Sequence, residues 1–165
     1  MRKTKTAFLG VMTALALIFS YVESLVPIPI PVPGIKLGLA NLMVVVLLFT
    51  VGTKEAFWMN LARILLSGFL FGNFSSILYS IAGALVSFGV MLLLKRTGRF
   101  SIIGVSIAGG TAHNIGQILV AAAVLENLDL LFYAPILMIT GEVTGFLIGI
   151  TGCEIIQRLP KEKNR

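Results

Sequence analysis

Charge is what this 165-residue sequence has least of: seven acidic and thirteen basic residues make up 12% of the chain, against 57% hydrophobic residues. A water-soluble domain carries about a quarter charged residues, so with a mean hydropathy of +0.99 an ordinary soluble surface is excluded. Cysteine is nearly absent as well. Cys153 stands alone, so no internal disulfide can form, and on a predicted helix it reads as a small apolar residue. The sequence has no phosphate-cradling P-loop, no CxxC or HExxH metal pattern and no nucleophile elbow. ATP hydrolysis by this chain is thereby excluded. A metal held by His113 and Glu142 would lack further matched ligands, so neither metal nor cofactor is expected.

The apolar residues that fill the chain fall in six runs: Thr6 to Val22, Gly38 to Val51, Glu55 to Phe71, Phe74 to Leu94, Ser101 to Leu125 and Leu130 to Gln157. Most approach the roughly 20 residues that cross hydrocarbon, and the second is the shortest. Without strand-like alternation, such runs satisfy their backbone groups in lipid only as helices. The basic residues occupy every second break: Arg2, Lys3 and Lys5 at the start, Lys54, then Lys95, Arg96 and Arg99, then Arg158, Lys161, Lys163 and Arg165. Glu23 with Lys36, the uncharged Gly72-Asn73, and Glu126 with Asp129 hold the others. This is the positive-inside pattern of one all-α, six-span membrane domain with both termini in the cytoplasm. The net charge of +6 sits at helix ends, where anionic lipid accounts for it. With no basic-aromatic stripe outside the spans, nucleic-acid binding is not expected.

Two segments qualify the plan. The basic start and the apolar run to Val22 also suit a signal peptide, but no small-x-small cleavage site follows, so the first span is expected to stay. Pro27-Ile28-Pro29-Ile30-Pro31-Val32-Pro33-Gly34 removes backbone donors at every second residue, which predicts a stiff extended segment on the outer face, either a rigid turn or a lid over a cavity.

Small residues mark helix contacts, because in lipid close backbone approach is the main route to association. Gly141, Gly145 and Gly149 on the last run, and Gly68 with Gly72 on the third, are expected to pack inside the bundle. Gly10 and Ala14 on the first run have the same spacing. Polar groups at mid-depth are costly and therefore candidates for function: Arg63 and Asn60 on the third run, His113, Asn114 and Gln117 on the fifth, Glu142 on the sixth, with Asn41 and Asn73 nearer the outer ends. His113 and Gln117, four apart, share a face. Arg63 and Glu142, opposite in charge and similar in depth, are expected to pair directly or through the His113 cluster. The set reads as a structural clasp or as the polar floor of a small-molecule cavity. A proton relay through His113 and Glu142 is a weaker reading, since no internal repeat is visible.

Three strings carry a resemblance: Pro33-Gly34-Ile35-Lys36-Leu37-Gly38-Leu39-Ala40-Asn41, Asn60-Leu61-Ala62-Arg63-Ile64-Leu65-Leu66-Ser67-Gly68, and Ala112-His113-Asn114-Ile115-Gly116-Gln117. Together they resemble the bacterial Gx transporter family, also described as heptaprenyl diphosphate synthase component I, over nearly the whole chain. That family looks related to the substrate-binding S components of energy-coupling-factor importers. The resemblance implies a six-helix S-component-like bundle in the bacterial cytoplasmic membrane, a small-molecule ligand, and separate coupling and ATPase subunits, with Gly10 and Ala14 as the docking stripe. The second description implies instead a non-catalytic membrane subunit supporting prenyl diphosphate synthesis. Trans-prenyl synthases use aspartate-rich motifs to hold magnesium on diphosphate, and one Asp, Asp129, cannot serve. A purely structural scaffold is the third reading. A polar cavity on the outer half would favour transport, and a solid interior above a basic platform would favour the subunit.

Overall fold

A computed structural model describes residues 2–25 and 38–159. The proline-rich segment predicted as an outer lid lies outside the described residues, as do Lys161, Lys163 and Arg165. Among the described residues the chain is helical throughout: α1 (Arg2–Leu25), α2 (Asn41–Thr50), α3 (Thr53–Phe71), α4 (Phe74–Thr97), α5 (Ile102–Val124), a short 3-10 turn (Leu128–Tyr133) and α6 (Ala134–Arg158).

Each break has a local cause. Asn73 caps α4: its Oδ1 accepts from the Ser76 backbone N–H at 2.7 Å, while Ser76 Oγ accepts from the Asn73 N–H at 3.1 Å. Gly98 ends α4 at a φ of 65°, a left-handed conformation that glycine adopts without steric cost. Ser101 caps α5 through the Gly104 N–H, 3.1 Å away. Asn73→Ala should cost about 1 kcal/mol of stability through the lost cap, read as a lower midpoint of thermal unfolding in detergent.

Four segments are long and apolar enough to cross a membrane: Thr6–Leu25, Phe74–Thr97, Ile102–Val124 and Leu128–Arg158. The other two predicted spans differ for separate reasons. Helix α3 carries Lys54, Glu55 and Arg63 within its 19 residues, which lowers its hydropathy. With 10 residues, α2 extends only about 15 Å at ~1.5 Å per residue, half of a ~30 Å hydrocarbon core.

That short helix is the centre of the bundle. Its residues Asn41 through Leu48 are all buried, and it touches α1, α3, α5 and α6. Its two ends meet side chains that complement the helix dipole. The Glu23 carboxylate accepts from the backbone N–H groups of Gly38 and Leu39 just before it. At the other end Lys95 Nζ donates to the Leu48 carbonyl and lies 5.1 Å from the Phe49 ring centre.

Around α2 the longest contacts are those of α5 with α4 and α6. Glycine explains the closeness. A Cβ on Gly141, Gly145 or Gly149 would lie 2.8 Å from Gly110 O, 2.7 Å from Ile107 Cα or 2.8 Å from Ile103 Cα respectively. Gly68 packs likewise on the Ile77 side chain of α4. Of the glycines predicted to pack within the bundle, Gly68, Gly141, Gly145 and Gly149 do so, whereas Gly72 is exposed at the end of α3. Gly10 differs: no atom lies within 4 Å of a Cβ there, and both it and Ala14 are exposed on α1.

The two ends of the bundle differ in charge. One apolar cluster gathers Phe8 of α1, Leu48 of α2, Leu94 of α4, Ile102 of α5 and Ile155 of α6. It brings the helix termini bearing Lys54, Lys95, Arg96, Arg99 and Arg158 to one end. A second cluster, with Tyr79, Ile118, Leu130 and Leu137, closes the opposite end, where Glu126 and Asp129 lie.

Candidate functional site

The buried polar groups form two sets that meet at the start of α2. The first links α1 to α3. Arg63, 4% exposed, donates to Asn60 Oδ1 from Nη2 at 2.6 Å and from Nε at 3.2 Å, and to Ser20 Oγ from Nη1 at 3.2 Å. Asn60 and Arg63 are three apart and so share a face of α3, one turn supplying both guanidinium and acceptor. Glu23, 2% exposed on α1, supplies the negative charge that acts on Arg63.

The second set stands on α2 and α5. Gly38 holds a φ of 91°, where any side chain would be strained. A Cβ there would lie 2.9 Å from Asn41 Nδ2 and 3.7 Å from His113 Cδ2. Glycine thus lets the chain before α2 close on Asn41 and the imidazole. On α4, Gly83 opposes His113: a Cβ there would be 2.7 Å from His113 O, 3.0 Å from its Cε1 and 2.8 Å from Gln117 Cγ. Asn114 turns toward α6 and donates through Nδ2 to Leu137 O at 2.7 Å. His113, Asn114 and Gln117 are all buried, Gln117 completely.

Of the predicted site residues, Asn41, Asn60, Arg63, His113, Asn114 and Gln117 are therefore brought into the interior, in two adjoining sets. Asn73 is not among them, being an exposed helix cap. Nor is Glu142, which is exposed on α6. The expected Arg63–Glu142 pair does not form, because α3 and α6 make no contact. Arg63 is instead answered by Asn60, Ser20 and the charge of Glu23. Sequence reasoning missed Ser20 and Glu23, placing Glu23 in an outer loop. Their separation by three residues, at the end of an apolar run that continues to Leu25, was the available signal.

Among the described residues, no ligand-sized chamber opens over these groups in the best-formed cavities. Two have volumes of about 230 and 240 Å³, open mouths included, below the roughly 300 Å³ where small-molecule sites begin. The first is lined by Asn41, Ser87 and Ser106 with Met91 and glycines. The second is lined by Asn60 with apolar residues. Arg63, His113, Asn114 and Gln117 line neither. Among the described residues no group of His, Cys, Asp or Glu could hold a metal ion. The buried polar sets fasten helices: α1 to α3 through Arg63, α5 to α6 through Asn114, and the start of α2 to α1 through Glu23.

These features define a helical membrane protein in which, among the described residues, the polar interior is packed and the basic residues other than Arg63 are gathered at one end. Residues 12–155 match the family described as heptaprenyl diphosphate synthase component I, and the chain belongs to that family. No curated protein and no solved structure matches the chain. The family description is that of a component of a synthase, in keeping with a chain that is at most a non-catalytic subunit.

Proposed function

We propose that this chain is the non-catalytic membrane subunit of a prenyl diphosphate synthase assembly. In this reading α1 to α6 form a six-helix bundle, N-in and C-in, in the bacterial cytoplasmic membrane. Helix α2 is carried across as a short buried element. The observation that carries the reading is an interior without a ligand-sized chamber among the described residues, beneath a basic end on which Arg96, Arg99 and Arg158 are exposed. By the positive-inside rule that end faces the cytoplasm. There it would attract anionic lipid, an acidic partner surface or a diphosphate headgroup. The chain would hold a soluble catalytic synthase where its elongating, increasingly apolar product enters lipid.

Membranes containing this chain should sediment a trans-prenyl diphosphate synthase from the same cell, and membranes without it should not. Arg96→Glu with Arg99→Glu should weaken that retention about tenfold, more at low salt than at high. A synthase that stays in solution with either membrane would overturn the proposal.

One observation supports a second reading, the S-component role. Gly10 and Ala14 are exposed on α1 with open space above Gly10, as a docking stripe for a coupling protein would require. Replacing both by Leu should abolish detergent pull-down of such a protein and leave folding intact. Pull-down that survives the double replacement excludes this stripe as the docking surface.

A further inference from the structure

Glu142 stands midway along the membrane-spanning segment Leu128–Arg158 and on its outer surface. Its surroundings are apolar: Ile139 is 61% exposed, Val143 54% and Phe146 47%. The neighbouring face of α6 is occupied, because Gly141, Gly145 and Gly149 lie against the backbone of α5. Glu142 makes no hydrogen bond or ion pair among the described residues. A carboxylate at this depth facing acyl chains is strongly disfavoured. At the middle of a spanning segment in a ~30 Å core each interface would lie about 15 Å away, beyond the reach of a glutamate side chain.

We propose that the Ile139–Glu142–Phe146 face of α6 docks a membrane-spanning helix of another chain that presents a Lys or Arg at mid-depth. Charge selects this occupant. A second copy of this chain offers no such cation among the described residues. Its Lys54, Lys95, Arg96, Arg99 and Arg158 stand at helix ends, and Arg63 is buried on Asn60 and Ser20. Two copies meeting on this face would instead bring carboxylates together. A helix with a basic residue would neutralise Glu142, and Ile139, Val143 and Phe146 would supply the packing that association in lipid requires. The face is separate from the Gly10 and Ala14 stripe and does not depend on which soluble or coupling protein binds elsewhere.

The test is site-specific photocrosslinking in native membranes. A photoreactive phenylalanine analogue is placed singly at Ile139 and at Phe146, with the exposed Leu85 on α4 as the control, and cross-linked peptides are identified by mass spectrometry. The expected adduct joins both α6 positions to one membrane segment of a different chain, with a Lys or Arg at the depth of Glu142. Its yield should fall about tenfold in Glu142→Gln and in Glu142→Ala. Combining Glu142→Lys with replacement of the partner's cation by Glu should restore it. Because Glu142 packs on nothing here, both single variants should retain the parent's melting temperature, so a lost adduct reports docking and not folding. Adducts confined to lipid, adducts to a second copy, a partner segment without a cation, a yield indifferent to Glu142, or no adduct would each overturn the proposal.

Discussion

Arg63→Ala is expected to destabilise the bundle by about 3–5 kcal/mol, the range measured when one partner of a buried ionic group is removed. The change strips Ser20 and Asn60 of their donor and removes a buried positive charge on which Glu23 acts. A thermodynamic cycle identifies the partner. Arg63→Ala combined with Glu23→Gln should lose less than the sum of the two single losses, because either single change already removes the attraction between the two charges. Arg63→Ala combined with Glu142→Ala should be additive, since α3 and α6 do not touch. Thermal unfolding in one detergent, followed for the parent, the three single and the two double variants, reads both cycles. Additivity with Glu23 would show that the two charges do not compensate one another. Non-additivity with Glu142 would place that residue on Arg63 after all. Because Glu23 also receives the backbone at the start of α2, its loss should loosen α2 as well. Faster hydrogen exchange at Asn41 to Val44 in Glu23→Gln would report that second role.

The helices were legible in the sequence because long apolar runs and their breaks are composition, and composition is local. Even the shortness of the second run was visible. What depth could not supply was direction around the helix axis. Arg63 and Glu142 are opposite in charge and fall near the middle of their runs, and on those grounds they were expected to pair. Direction was nevertheless encoded nearby: once Gly141, Gly145 and Gly149 face a neighbour, Glu142 lies at the flank of that stripe, about 60° from its middle, while α3 is not that neighbour. Glu23 was obscured for another reason. A rule that sorts charges into loops assigns an acid near a predicted helix end to the loop. The α1 helix, by contrast, runs on to Leu25 and carries Ser20 and Glu23 inward together. The roles of Asn114 and Asn73 are likewise beyond sequence, since one amide is buried against the carbonyl of Leu137 and the other caps a helix.

Gly145→Leu should be the most damaging single replacement on α6, and Gly10→Leu the least damaging on α1. The two residues open similar small-residue patterns, so sequence alone gives no reason to separate them. Geometry does. At Gly145 a Cβ would lie 2.7 Å from both Ile107 Cα and Ser106 O, and these are backbone atoms that cannot swing aside. The clash forces α5 and α6 apart along their whole contact and strands Asn114 from Leu137 O. Overpacking alone costs about 1–3 kcal/mol, and loss of a buried hydrogen bond adds roughly 1–3 more. A bundle of ordinary stability, about 5–15 kcal/mol, would survive only weakly. Gly145→Ala should already be harmful, since the clash begins at Cβ, whereas Gly10→Leu should leave the unfolding temperature unchanged because nothing lies within 4 Å. Gel-filtration profiles and melting curves of the three variants measure this directly. Equal effects at positions 10 and 145 would show that α6 does not lie against α5 as described. A stable Gly10→Leu protein that has lost its binding partners would locate an interface on α1, because lipid alone has no use for a gap beside a glycine.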